Sequence, residues 1–89
     1  MLGPIFANQF KKDLRLMAKR HKNMDKIYEL ITDIIGEVPL PDKYGEHELS
    51  GTYAGYTECH IEGDWILIYR FPGDNTVHFS RTGTHSDLF

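Results

Sequence analysis

Apolar positions in the first part of the chain recur at helical spacing. Phe6, Phe10, Leu14 and Met17 would share one face of a helix running from Asn8, a residue able to cap it, to about Lys22. Lys11, Arg15, Lys19 and Lys22 form a second stripe on that helix, turned away from the apolar one. Asn23 then restarts the chain as an N-cap, and Met24, Ile27, Tyr28, Ile31, Ile34 and Ile35 trace the apolar face of a second helix that stops at Gly36. The short link predicts an antiparallel helical hairpin. Before it, Leu2 to Ala7 reads as a strand in which Pro4 weakens the ladder. After it, Glu37 to Glu48 reads as a loop broken by Pro39, Pro41 and Gly45, and carries His47 near its end.

The pattern changes beyond a glycine-rich turn at Gly51 to Gly55. Tyr56–Ile61, Trp65–Phe71 and Thr76–Thr82 are rich in β-branched and aromatic residues, and two turn sequences, Glu62-Gly63-Asp64 and Pro72-Gly73-Asp74-Asn75, join them. They predict a three-stranded meander. Helices followed by antiparallel strands give a two-layer α+β domain, with the hairpin on one sheet face and the other face open. Alternation assigns Val77, Phe79 and Arg81 to one side of the last strand. With Ile66 and Ile68 turned to the helices, Trp65, Leu67 and Tyr69 would join Arg81 on the open face, a surface suited to stacking bases and holding a phosphate. The same aromatics would also suit a protein partner.

Size and charge narrow the picture. The 89 residues form one domain, 1–89, whose folding buries only roughly 60% of the unfolded chain's surface. No apolar run approaches a membrane span of roughly 18 residues, no secretory signal opens the sequence, and Cys59 has no disulfide partner, so a cytoplasmic setting without membrane contact is expected. The formal charge is −3, but seven of the ten basic residues lie between Lys11 and Lys26. A basic segment in an acidic chain points to a polyanionic partner.

Candidate chemistry gathers near the end of the chain, in Arg81-Thr82-Gly83-Thr84-His85-Ser86-Asp87-Leu88-Phe89. Cleaving RNA without a metal requires a base for the 2′-hydroxyl proton, an acid for the 5′-oxygen and a cation for the charge on the phosphate. Histidine can serve on either side of that transfer, and arginine stays charged throughout. His47, His60, His85, Asp64 and Arg81 supply these types, with Asp64 either the base or the group that orients a histidine. His21 and His78 are read as surface or structural. A zinc site from His47, Cys59, His60, Asp64 and His85 is disfavoured, because Cys59 and His60 are strand neighbours facing opposite ways. No metal or cofactor is called for.

Three runs carry a family resemblance: Tyr44-Gly45-Glu46-His47-Glu48-Leu49-Ser50-Gly51, Gly55-Tyr56-Thr57-Glu58-Cys59-His60-Ile61-Glu62-Gly63-Asp64-Trp65-Ile66-Leu67-Ile68-Tyr69, and the tail from Arg81 to Phe89. In order and spacing the chain resembles the YafQ-type toxins of the RelE/ParE superfamily. The resemblance implies their fold, an antiparallel sheet with an N-terminal strand and a helical hairpin on one face. It also implies a ribosome-dependent messenger RNA endonuclease held by a DNA-binding, DinJ-like antitoxin in a hetero-oligomer. Roles would fall on His47, His60, Asp64, Trp65, Arg81, His85 and Phe89. Arg81 is then assigned to the phosphate, His85 to the leaving oxygen, Phe89, Trp65 and Tyr69 to the substrate, and Lys11, Arg15, Lys19 and Lys22 to ribosomal RNA. The base is drawn from Asp64, His47 or His60. Removing Arg81 is expected to spare the fold. Thr57 departs from the pattern, since relatives generally carry Arg there, and Arg70 or a lysine could replace it. The rival reading is a ParE-like inhibitor that acts by contact alone and would not need the histidines.

Overall fold

A computed structural model describes residues 1–89. Pairing between the two ends of the chain sets the architecture: strand β1 (Gly3–Phe6) runs parallel to β5 (Thr76–Thr84), with Phe6 opposite Phe79. The sheet has five strands in the order β1-β5-β4-β3-β2, where β2 is His47–Glu48, β3 is Thr57–Glu62 and β4 is Trp65–Gly73. The expected meander is therefore β3-β4-β5, flanked by β1 and by a two-residue strand that sequence placed in a loop.

Helices α1 (Asn8–Lys19) and α2 (Met24–Ile35) form the hairpin. Asn23 caps α2 by accepting from the Asp25 amide at 3.2 Å. Ala7, rather than Asn8, stands at the cap of α1, which ends at Lys19 and leaves Lys22 in the link. His21 turns that link with φ of 60°. Phe10 and Met17 of α1 and Ile27, Leu30, Ile31 and Ile34 of α2 pack on Cys59, Ile61, Trp65, Leu67, Tyr69, Val77 and Phe79 of the sheet.

That contact reverses the expected faces of β4. Trp65, Leu67 and Tyr69 point into the core beneath the helices and are fully buried, whereas Ile66 and Ile68 lie on the other side under Leu88, Leu49 and Tyr56. Both sides of this central strand are covered, so its continuous apolar run carries no parity signal. Trp65 and Tyr69 cannot stack on a substrate base. The Trp65 indole N–H donates to Thr82 Oγ1 at 2.9 Å, and the Tyr69 hydroxyl donates to Glu46.

Arg81 is also separated from Val77 and Phe79. The β4–β5 register slips between Ile68–Arg81 and Tyr69–Phe79, a bulge at Ser80 that breaks the simple alternation. Because β1 ends opposite Phe79, the edge of β5 beyond it is free, and Asp13 of α1 covers it. Its carboxylate accepts from the Thr82 amide at 3.1 Å and from Arg81 Nε at 2.8 Å and Nη2 at 3.3 Å. Asp13 is only 5% exposed, a buried anion on the helix face that the sequence pattern assigned to apolar residues.

Candidate active site on the far face of the sheet

Strand β3 begins the site. Glu58 and His60 alternate with Cys59, so while the thiol enters the core the carboxylate and the imidazole project from the opposite face. Register then brings His47 of β2 directly across from Glu58. The approach to His47 depends on Gly45, which has φ of 56° and whose added Cβ would lie 3.2 Å from the His60 ring. Gly45→Ala is expected to cost about 1–2 kcal/mol for the left-handed backbone and to displace His60. Urea unfolding should show that loss, and unchanged stability would mean that the turn adapts. Beside it, the core Tyr69 hydroxyl anchors Glu46.

The other half comes from the C-terminal helix α3 (His85–Leu88). Thr84 and Asp87 close a capping box, the Asp87 amide donating to Thr84 Oγ1 at 3.2 Å and the Thr84 amide to Asp87 Oδ2 at 2.9 Å. Arg20, just past α1, grips the Asp87 carboxylate at 2.7 and 3.0 Å. Hydrogen bonds from Arg20 and from the Thr84 amide hold Asp87 well below the ordinary carboxylate range. Leu88 fastens the helix to Ile66 and Ile68. So short a helix is held by its contacts rather than by its own hydrogen bonds.

In this frame His85 lies between two carboxylates. Its Nδ1 meets Asp64 Oδ1, and its Nε2 is 2.9 Å from Glu58 Oε1. The Asp64 carboxylate accepts from Nδ1, whereas Glu58 Oε1, though close to Nε2, is buried without completing a hydrogen bond. The hydrogen bond to Asp64 raises the His85 pKa first of all, and the Glu58 charge adds to it; in return, the hydrogen bond to His85 lowers that of Asp64. His47 donates from Nδ1 to the Gly45 carbonyl at 2.7 Å and places Nε2 at 2.9 Å from Glu58 Oε2. Between these rings stands His60, with centroids 6.4 Å from His47 and 5.7 Å from His85. Its nitrogens make no hydrogen bond to another side chain or to the backbone. Phe89 stacks on His85 at 6.0 Å and is 60% exposed.

Of the residues singled out from sequence, His47, His60, Asp64, His85 and Phe89 come together here. Trp65 and Tyr69 support the site from the core. Arg81 is tied to Asp13, whose hydrogen bond pushes the guanidinium pKa further up. Lys11, Arg15 and Lys19 are exposed on α1, and Lys22 is half-buried. Thr57 pairs with Tyr69, the strand neighbour of Arg70. Glu58 was missed, although it touches two of the three imidazoles and is 4% exposed. The alternation that separates Cys59 from His60 would have grouped Glu58 with His60. No three His, Cys, Asp or Glu side chains converge as metal ligands. A cavity of about 310 Å³ lined by Lys26, Glu29, Lys43, Tyr44 and Ile61 shares no residue with the imidazole cluster.

Comparison with known proteins gives this geometry a context. The family model described as the bacterial toxin of type II toxin-antitoxin system, YafQ, matches residues 4–89. The mRNA interferase toxin YafQ of Escherichia coli strain K12 is 46% identical over 85 residues, covering 94% of this chain and 91% of the relative. The crystal structure of YafQ from E. coli strain BL21(DE3) superposes with a TM-score of 0.93 at 42% identity, over 100% of this chain and 99% of that one. YafQ in the crystal structure of the E. coli DinJ-YafQ complex gives 0.91 at 43% identity with the same coverage. Sequence and architecture agree over nearly the full length, and the chain belongs to the YafQ family of toxins of type II toxin-antitoxin systems.

Proposed function

We propose that the chain is a messenger RNA endonuclease that stops translation by cutting on the ribosome, without a metal. The observation that carries the reading is the pairing of unlike imidazoles: His85 donates through Nδ1 to Asp64 with Glu58 beside its Nε2, and His60 next to it has unengaged nitrogens. His60 takes the proton of the 2′-hydroxyl, whose oxygen attacks the adjacent phosphorus. As that bond forms the P–O5′ bond breaks, and His85 gives its proton to the departing oxygen. Asp64 and Glu58 orient His85, and Glu58 also fixes His47. Arg81 directs its free Nη1 to the phosphate, its other nitrogens being held by Asp13. The name of the E. coli relative, an mRNA interferase, supports the substrate class. The DinJ-YafQ complex supports a cognate antitoxin as partner, in a hetero-oligomer that silences the toxin.

A domain this small has little surface with which to align a flexible message, so positioning falls to the ribosome. In a translating system the products should carry a 5′-hydroxyl and a 2′,3′-cyclic or 3′-phosphate end. Equal cutting of naked RNA, dependence on magnesium for the chemistry itself, or 5′-phosphate products would overturn the mechanism.

The stripe on α1 provides the grip on ribosomal RNA. Replacing Lys11, Arg15, Lys19 and Lys22 by Ala should weaken ribosome binding and reduce its salt dependence by roughly one slope unit per lost phosphate contact. Binding and salt slope like the parent's would make the stripe an ordinary solvated face.

A further inference from the structure

Beyond the imidazoles the far face carries an aromatic path that the mechanism does not use. Phe89, stacked on His85, meets Tyr53 edge-on at 5.1 Å, Tyr53 meets Tyr56 at 5.9 Å, and the Arg70 guanidinium lies 5.8 Å from the Tyr56 ring centre. The loop presenting the tyrosines is closed by its own backbone, with the Leu49 amide bonded to the Tyr56 carbonyl at 2.8 Å and the Tyr56 amide to the Tyr53 carbonyl at 3.0 Å. Gly51 and Gly55, at φ of 65° and 90°, give it the required turns. At the end of the path Arg70 Nε is buried without an acceptor. No carboxylate pairs with this cation, although the chain has more acids than bases.

We infer that Phe89, Tyr53, Tyr56 and Arg70 form a subsite for single-stranded RNA on the 3′ side of the cut, taking the base on the aromatic rings and the next backbone phosphate on Arg70. The polarity follows from the proposed chemistry, on which the inference rests. His85 protonates the 5′-oxygen of the departing nucleotide, so the ring stacked on His85 lies beside that nucleotide's base. Phe89 offers an exposed face, Tyr53 braces it from the edge, and Tyr56 holds the guanidinium. Aromatic rings accept any base, whereas an arginine without a carboxylate partner remains available to a phosphate.

The test is steady-state cleavage of message by the full chain in a translating system, comparing the parent with His85→Gln, Tyr53→Phe, Tyr53→Leu, Arg70→Gln and Arg70→Lys. Tyr53→Leu and Arg70→Gln should each raise KM about tenfold while leaving kcat within about twofold, the scale of one lost stacking or phosphate contact. Tyr53→Phe and Arg70→Lys should retain most of the parent's KM, because ring and charge persist. An active parent, with His85→Gln inactive, whose Tyr53→Leu and Arg70→Gln variants keep its KM overturns the subsite and leaves the endonuclease reading standing. A fall in kcat and thermal stability without rescue by Arg70→Lys would also overturn it, making Arg70 a packing residue. A parent that cuts no message sinks the endonuclease reading, and the subsite with it.

Discussion

His85→Ala is expected to cleave message about 10² to 10⁴ times more slowly than the parent at saturating ribosome, the usual contribution of a general acid. The fold should survive, because the capping box of α3 is made by Thr84 and Asp87 and its clamp by Arg20. His85→Gln should not restore activity, since an amide cannot give up a proton at neutral pH. The pH profile separates this role from mere positioning. A general acid works while protonated, so activity falls as pH rises through the His85 pKa, and the upward shift from Asp64 carries that limb to higher pH. Asp64→Asn should move the limb to lower pH. The same shift makes the stability contributed by His85 greatest below the imidazole's unfolded pKa of about 6.5, with loss as pH rises through its folded value. Cleavage by His85→Ala within about threefold of the parent would remove His85 as the acid.

The second large effect is on folding. Asp13→Ala should cost about 2–4 kcal/mol in urea unfolding, because it leaves the buried Thr82 amide without an acceptor and strips Arg81 of its partner. Asp13→Asn, which keeps an acceptor, should cost less. Arg81→Ala also loses stability, about 1–3 kcal/mol, because a carboxylate only 5% exposed then faces Thr82 and Gln9 alone. The expectation from sequence that Arg81 is expendable to the fold is thereby revised. A double-mutant cycle on Asp13 and Arg81 should return a coupling of about 1–3 kcal/mol. Additivity within about 0.5 kcal/mol would show that the pair contributes nothing beyond its separate contacts.

The helical hairpin was legible in the sequence because each helix buries one stripe, and a single period survives in such a segment. The faces of β4 were not. Trp65 to Tyr69 is apolar at every position, and the choice of side depended on Leu88, which lies beyond any local window. A single extra residue at Ser80 parted Arg81 from Val77 and Phe79, and bulges leave little trace in composition. Asp13 looked like one charge among many on a charged helix, until β1 proved to end four residues into its pairing and to leave β5 with an unmet amide. The imidazole cluster could be anticipated because its members lie in three dense runs. Alternation along β3 would have set the cluster's central carboxylate, Glu58, beside His60, but the contact with His47 depends on β2, which sequence placed in a loop. The Thr84 to Asp87 spacing is also the signature of a helix start, but α3 was not predicted from it.

Cys59 gives these experiments a common reporter. Its side chain is fully buried beneath the helices on the strand that carries Glu58 and His60, and burial pushes its thiol pKa up to about 12. Thiolate is the reactive form, so an alkylating reagent near neutral pH has almost nothing to attack while the sheet is closed. Modification must wait for an opening that separates β3 from both helices, and its rate therefore measures the population of that open state. Timed alkylation followed by mass measurement would then divide inactive variants into two groups without a ribosome present. Those that label as slowly as the parent have lost chemistry, and those that label quickly have lost the platform beneath it.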